Sequence, residues 1–115
     1  MKLVELAYFT ENVQALENFY RNLLGAEPVA KSDDMAIFMN GDVKIFIHRK
    51  YQPSEGKLPP ENHTAFAVDD VDATCNVLMG QGLTLEVAPQ DYYWGRSAYL
   101  RDPDGHMVEI TKAGS

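Results

Sequence analysis

Residues 97–110, Ser-Ala-Tyr-Leu-Arg-Asp-Pro-Asp-Gly-His-Met-Val-Glu-Ile, decide how the chain is read. Apolar residues alternate at Ala98 and Leu100, then again at Val108 and Ile110. Between them lies Asp102-Pro103-Asp104-Gly105. Proline presets φ near −65° and glycine tolerates positive φ, so this stretch predicts a turn and its flanks a β-hairpin. Glu109 breaks the apolar logic, standing between Val108 and Ile110 in a strand that reads as mostly buried. A buried carboxylate needs a partner. Arg96 and Arg101 are the nearby cations in sequence.

Working back from the hairpin, Tyr92-Tyr93-Trp94-Gly95 reads as an aromatic loop, and Leu83 to Val87 as a strand. Gly80 and Gly82 end a helix that starts at Val71, behind the capping residues Asp69 and Asp70. His63 to Val68 is the strand before it. This order also occurs earlier. His63-Thr64-Ala65-Phe66-Ala67-Val68-Asp69-Asp70 lies over Glu5-Leu6-Ala7-Tyr8-Phe9-Thr10-Glu11-Asn12. After Asn12 the apolar period becomes helical, with Leu16, Phe19, Tyr20, Leu23 and Leu24 on one face and Gly25 as the stop. Short strands follow at Glu27 to Ala30, Met35 to Met39 and Asp42 to His48, the last two joined at Asn40-Gly41.

Each half therefore reads β-α-β-β-β, and the chain as an α+β protein built from two βαβββ modules. The modules occupy residues 1–50 and 63–115, and the proline-bearing stretch 51–62 is the linker. One helix covers one face of a small sheet, and the other face must meet a second sheet. Curved mixed sheets meeting in this way enclose a cavity, lined by strand residues that point away from the helices. In the strand from Asp42 to His48, Val43, Ile45 and Ile47 suit the helix side, which leaves Lys44, Phe46 and His48 for the cavity.

The composition bounds the function. A net charge of −7 disfavours nucleic acid and anionic membrane surfaces as partners. With one cysteine, Cys75, no intrachain disulfide forms. Cys75 falls beside Val71 and Leu78 in the second helix and reads as a small core residue. The opening residues carry no long apolar run, and no segment approaches a membrane span, which predicts a cytoplasmic protein.

Two motifs carry a family resemblance. Phe19-Tyr20-Arg21-Asn22-Leu23-Leu24-Gly25 looks like F-Y-x-x-x-L-G. Arg101-Asp102-Pro103-Asp104-Gly105-His106-Met107-Val108-Glu109-Ile110 looks like D-P-D-G-x-x-x-E. With the repeat, the chain resembles the vicinal oxygen chelate superfamily, which includes glyoxalase I, extradiol dioxygenases, methylmalonyl-CoA epimerase, fosfomycin resistance enzymes and bleomycin-binding proteins. In its metal-using members, ligands come from the first and last strand of each half. The resemblance thus implies Glu5, His63 and Glu109 as metal ligands. The fourth family position falls on Phe46, which is no ligand, with His48 one step along the same face.

Two carboxylates and one imidazole suit a divalent ion such as Mn, Fe, Ni or Zn. Such an ion acts as a Lewis acid on adjacent substrate oxygens, and a glutamate, here Glu109, serves as general base. The implied activity is that of a metal-dependent lyase, isomerase or transferase acting on a small molecule. Phe9, Phe46, His48, Trp94, Ser97, Tyr99 and Arg101 are the expected substrate-binding residues. The competing reading is a metal-free binding protein of the bleomycin-resistance type, whose acidic aromatic cavity sequesters a cationic or planar ligand. Either way a homodimer is expected, with modules paired within one chain or swapped between two. His106, in the turn, reads as exposed and not as a ligand.

Overall fold

In the computed structural model, which describes residues 1–52 and 61–114, the two halves repeat one order of elements. The first holds β1 (Lys2–Thr10), α1 (Val13–Leu24), β2 (Ala30–Lys31), β3 (Met35–Asn40) and β4 (Val43–Arg49). The second holds β5 (His63–Val68), α2 (Val71–Gly80), β6 (Leu85–Tyr92), β7 (Gly95–Arg101) and β8 (Met107–Lys112). By contacts the chain divides into two compact units, Glu5–Asn62 and Met1–Val4 with His63–Ser115. The expected linker falls largely at residues 53–60, outside the described residues. No helix among the described residues is long and apolar enough to cross a membrane.

In the first module β1 pairs in parallel with β4, and β3 pairs antiparallel with both β4 and β2, so the sheet is mixed. The Asn12 side chain caps α1 by accepting from the Ala15 amide at 3.0 Å. Gly25 ends the helix at φ 64°, a left-handed conformation that costs glycine little. Ile45 and Ile47 of β4 join Ala36 and Phe38 in the core beneath α1, the side that alternation assigned to them. Full burial of such a side chain contributes on the order of 1.5–3 kcal/mol.

The helix face differs from the expected stripe. Val13, Leu16, Tyr20 and Leu24 pack on the sheet, with Tyr20 stacked on Tyr8 at 5.9 Å. Phe19 and Leu23 lie on the flank, 56% and 64% exposed. The place beneath the helix goes instead to Glu17, which is 1% exposed and ion-paired to Arg21 and Lys31. The strand expected over Glu27 to Ala30 shrinks to Ala30–Lys31.

The second module is built alike, with β5 parallel to β8 and β7 antiparallel to β8 and β6. Asp70 caps α2 through the Ala73 amide. Val71 and Cys75 of α2 pack on Ala98, Leu100 and Ile110. Burial, with the charge of Asp72, pushes the Cys75 thiol up, so it is an inert core residue. The β7–β8 turn closes around Asp102, whose Oδ1 accepts from the amides of Asp104 and His106 at 3.0 and 2.8 Å. Gly105 takes φ 89° there.

Two expectations are corrected in this module. The strand expected over Leu83 to Val87 runs from Leu85 to Tyr92, with irregular pairing around Val87. The aromatic loop is therefore the tip of a hairpin, since Tyr92 pairs with Gly95 and only Tyr93 and Trp94 turn the chain. Bulges bend a strand without ending it, so a break in alternation there is not a break in the ladder.

Burial pushes the Glu17 carboxyl up, but hydrogen bonds and charge from Arg21 and Lys31 outweigh it and hold the group below its usual value. Its contribution to stability is present above the unfolded-state value, about 4.3, and is lost as pH falls through the folded value. Glu17→Gln is expected to be less stable at neutral pH and to lose less stability on acidification below about pH 4.3 than the parent. Urea melts at a series of pH values test this, and parallel stability profiles would contradict it.

Candidate metal centre on the second module

Glu109 of β8 is 5% exposed. Neither nearby arginine serves it. Arg96 forks onto Asp72 at 2.6 and 2.8 Å and reaches Asp91 at 3.0 Å. Arg101 bonds Glu86 and the Gly105 carbonyl, both at 2.8 Å. The partners of Glu109 come from neighbouring strands of its own module. His63 Nε2, at the start of β5, lies 3.2 Å from Glu109 Oε1. Ser97 Oγ on β7 donates to Oε2 at 2.7 Å. Tyr99, directly across the β7–β8 ladder, gives a further side-chain hydrogen bond.

Ser97 is itself held. Its one hydroxyl proton goes to the carboxylate, so its oxygen is left to accept. Trp94 Nε1 donates to it at 3.2 Å, and Thr111 Oγ1 stands 3.0 Å away as a second donor. Period-two alternation produces the cluster: Ser97 pairs with Thr111 and Tyr99 with Glu109, all on one face of the hairpin. Burial pushes the Glu109 carboxyl up, but the bonds from His63 and Ser97, the charge of His63 and the bond from Tyr99 together hold it below the usual carboxylate range. It is an anion at neutral pH.

The first module carries the counterpart positions. In β5–β8, His63 pairs with Met107 and Ala65 with Glu109. In β1–β4, Glu5 pairs with Lys44 and Ala7 with Phe46. Glu5 thus occupies the place of His63, and Phe46 the place of Glu109. Lys44 Nζ lies 3.8 Å from Glu5 Oε1, an ion pair with both side chains partly open to solvent.

Phe9, Phe46 and His48 come together in that module, and Tyr51, which sequence reasoning missed, joins them. His48 lies 6.0 Å from Phe9, 5.7 Å from Phe46 and 5.7 Å from Tyr51, between ring centroids. His48 Nδ1 lies 2.7 Å from the Arg49 carbonyl, which can only accept, so Nδ1 is the donor in that bond. Of the other expected contacts, Trp94, Ser97 and Tyr99 join the Glu109 network, while the Arg101 guanidinium turns to Glu86 and the hairpin turn. His106 is 74% exposed and paired with Asp102. Tyr92 also belongs to the cluster, with its ring parallel to Trp94 at 4.4 Å and edge-on to Tyr99 at 6.3 Å. The spacing of Tyr92, Trp94 and Ser97 hides this, because a hairpin tip separates them.

Ser97→Ala removes one donor from Glu109 and leaves the Trp94 N–H without its acceptor. The expected loss of stability is about 1–3 kcal/mol, read from urea midpoints at unchanged slope; a loss below about 0.5 kcal/mol would show that the network does not depend on this hydroxyl.

The family profile of the Glyoxalase/Bleomycin resistance protein/Dioxygenase superfamily matches residues 2–110. "Uncharacterized protein YraH" of Bacillus subtilis (strain 168) is 29% identical over 126 residues, covering 97% of this chain and 98% of that protein. "Metallothiol transferase FosB" of Staphylococcus haemolyticus is 27% identical over 109 residues, covering 91% of this chain and 78% of that protein. In fold, the crystal structure of methylmalonyl-CoA epimerase from Mycobacterium tuberculosis is similar at a TM-score of 0.73 and 19% identity, covering 99% of this chain and 89% of that one. With a match across nearly its whole length, the chain belongs to the Glyoxalase/Bleomycin resistance protein/Dioxygenase superfamily.

Proposed function

We propose that Glu5, His63 and Glu109 bind a divalent metal ion, and that the protein is a metal-dependent lyase, isomerase or transferase acting on a small molecule with adjacent oxygens. One observation carries the reading: a buried carboxylate, held as an anion, faces an imidazole nitrogen at 3.2 Å, and among the described residues no arginine or lysine is paired with it. His63 Nε2 and Glu109 Oε1 are close enough that both would hold one ion without a change of strand register. His63 offers a ring nitrogen and each glutamate an oxygen, a donor set that suits Mn, Fe, Ni or Zn. Glu5 enters as the repeat counterpart of His63.

When bound, the ion stabilises negative charge on substrate oxygens. The chain's own residues do the rest. Ser97 and Tyr99 fix the Glu109 carboxylate and keep it unprotonated, as a ligand or proton acceptor requires. Phe9, Phe46, His48 and Trp94 are proposed to contact the substrate, with Arg101 held at its salt bridge to Glu86. The transferase name carried by the Staphylococcus haemolyticus relative supports a metal-dependent reaction without naming the substrate. The assembly proposed is a homodimer, checked by sedimentation at micromolar concentration, where a monomer would contradict it.

A second reading rests on Phe46. It replaces the counterpart of Glu109 and sits in a cluster of rings, which with a net charge of −7 suits metal-free capture of a cationic, planar molecule. Thermal melts separate the two. The metal reading expects protein stripped with chelator to gain about 2.7 kcal/mol at a free ion concentration one hundred times Kd, and Glu109→Gln to abolish the gain. Melting curves unmoved by any of the four ions, with tight binding of a planar cation by chelated protein, would reverse the choice.

A further inference from the structure

Tyr92 is the last residue of β6 and pairs with Gly95 across the two-residue tip. Its ring is fixed on two sides. Trp94 lies parallel to it at 4.4 Å with an interplanar angle of 2°, and Tyr99 meets it edge-on at 84°. The hydroxyl at the end of that ring is buried and has no hydrogen-bond partner among the described residues. Its neighbours are all paired: the Trp94 N–H goes to Ser97, and Ser97 and Tyr99 both go to Glu109. An orphaned buried hydroxyl is costly, and a folded chain rarely keeps one beside a satisfied network without a use for it.

We propose that the Tyr92 hydroxyl is a ligand-binding donor, and that an oxygen of the small molecule held at the His63–Glu109 site accepts its hydrogen bond. This rests on the metal reading above. It adds to that reading a substrate feature: an acceptor oxygen beyond the two that meet the ion, such as that of a carboxylate or carbonyl. The ligand atom is an acceptor because the phenol keeps its proton. Burial, and then the negative charge of Glu109, both push its ionisation up. Stacking on Trp94 presents the hydroxyl in one direction, so the donor is preorganised.

Oxalate is the probe, since two of its oxygens chelate an ion and two remain as acceptors. Calorimetry on Mn²⁺-loaded protein compares the parent with Tyr92→Phe, which deletes only the unpaired oxygen. The variant is expected to bind Mn²⁺ with unchanged affinity and oxalate about tenfold more weakly. Without metal or oxalate its melting temperature is expected to be equal to the parent's or higher, because no bond within the protein is lost. Equal oxalate affinity in both proteins would overturn the donor role. A melting temperature several degrees lower would also overturn it, by showing that the hydroxyl is already bonded within the fold. Failure of the parent to bind Mn²⁺ is a different result and removes the metal reading, and this role with it.

Discussion

Everything on the working face of the second module follows from one carboxylate placed in a buried strand. Glu109 has to be satisfied where it stands, and the hairpin supplies what it needs. Ser97 and Tyr99 arrive on its face because β7 runs antiparallel to β8 with a two-residue period. Trp94 and Thr111 then orient the Ser97 oxygen, so its only proton points at the carboxylate. The tight turn around Asp102 fixes the register that makes these meetings possible. A slip of one residue would turn Glu109 into the apolar core beneath α2.

The chain holds a second buried carboxylate, and the contrast is instructive. Glu17 lies under α1 and is answered by the guanidinium of Arg21 and the ammonium of Lys31. Its charge is cancelled, and nothing is left for a ligand to do. Glu109 is answered by hydroxyls and an imidazole. Hydroxyls orient a negative charge without cancelling it. Both carboxylates are buried, but Glu17 is answered by two cations and Glu109 by hydroxyls and an imidazole.

Most of the fold was legible because its signals are local. Asn12, Gly25, Asp70 and the Asp102 turn act through their own backbone, and each appears where the residues indicated. The order of elements in both halves was legible too, since the same strand-to-cap pattern restarts at His63. What escaped depends on contacts between distant residues. Glu17 reads as a surface residue of a helix until Lys31 is known to reach it. Tyr92 reads as loop because the irregular register around Val87 breaks the alternation of β6. Asn40-Gly41 reads as the turn from its residue types, whereas Asn40 pairs with Val43 and the turn is Gly41-Asp42, one residue along.

The two modules also divide the chemistry unequally, and register says how. Strand for strand, the first carries Glu5 where the second carries His63, and Phe46 where the second carries Glu109. Equivalent register positions therefore carry different chemistry in the two halves. Replacing a buried carboxylate by phenylalanine removes a charge that needed three donors, and ring contacts with His48 take their place. The polar demand is thereby concentrated on one hairpin. There His63 Nε2 stands 3.2 Å from Glu109 Oε1 while Ser97 holds the other carboxylate oxygen, so one strand pair and one hairpin meet the whole demand.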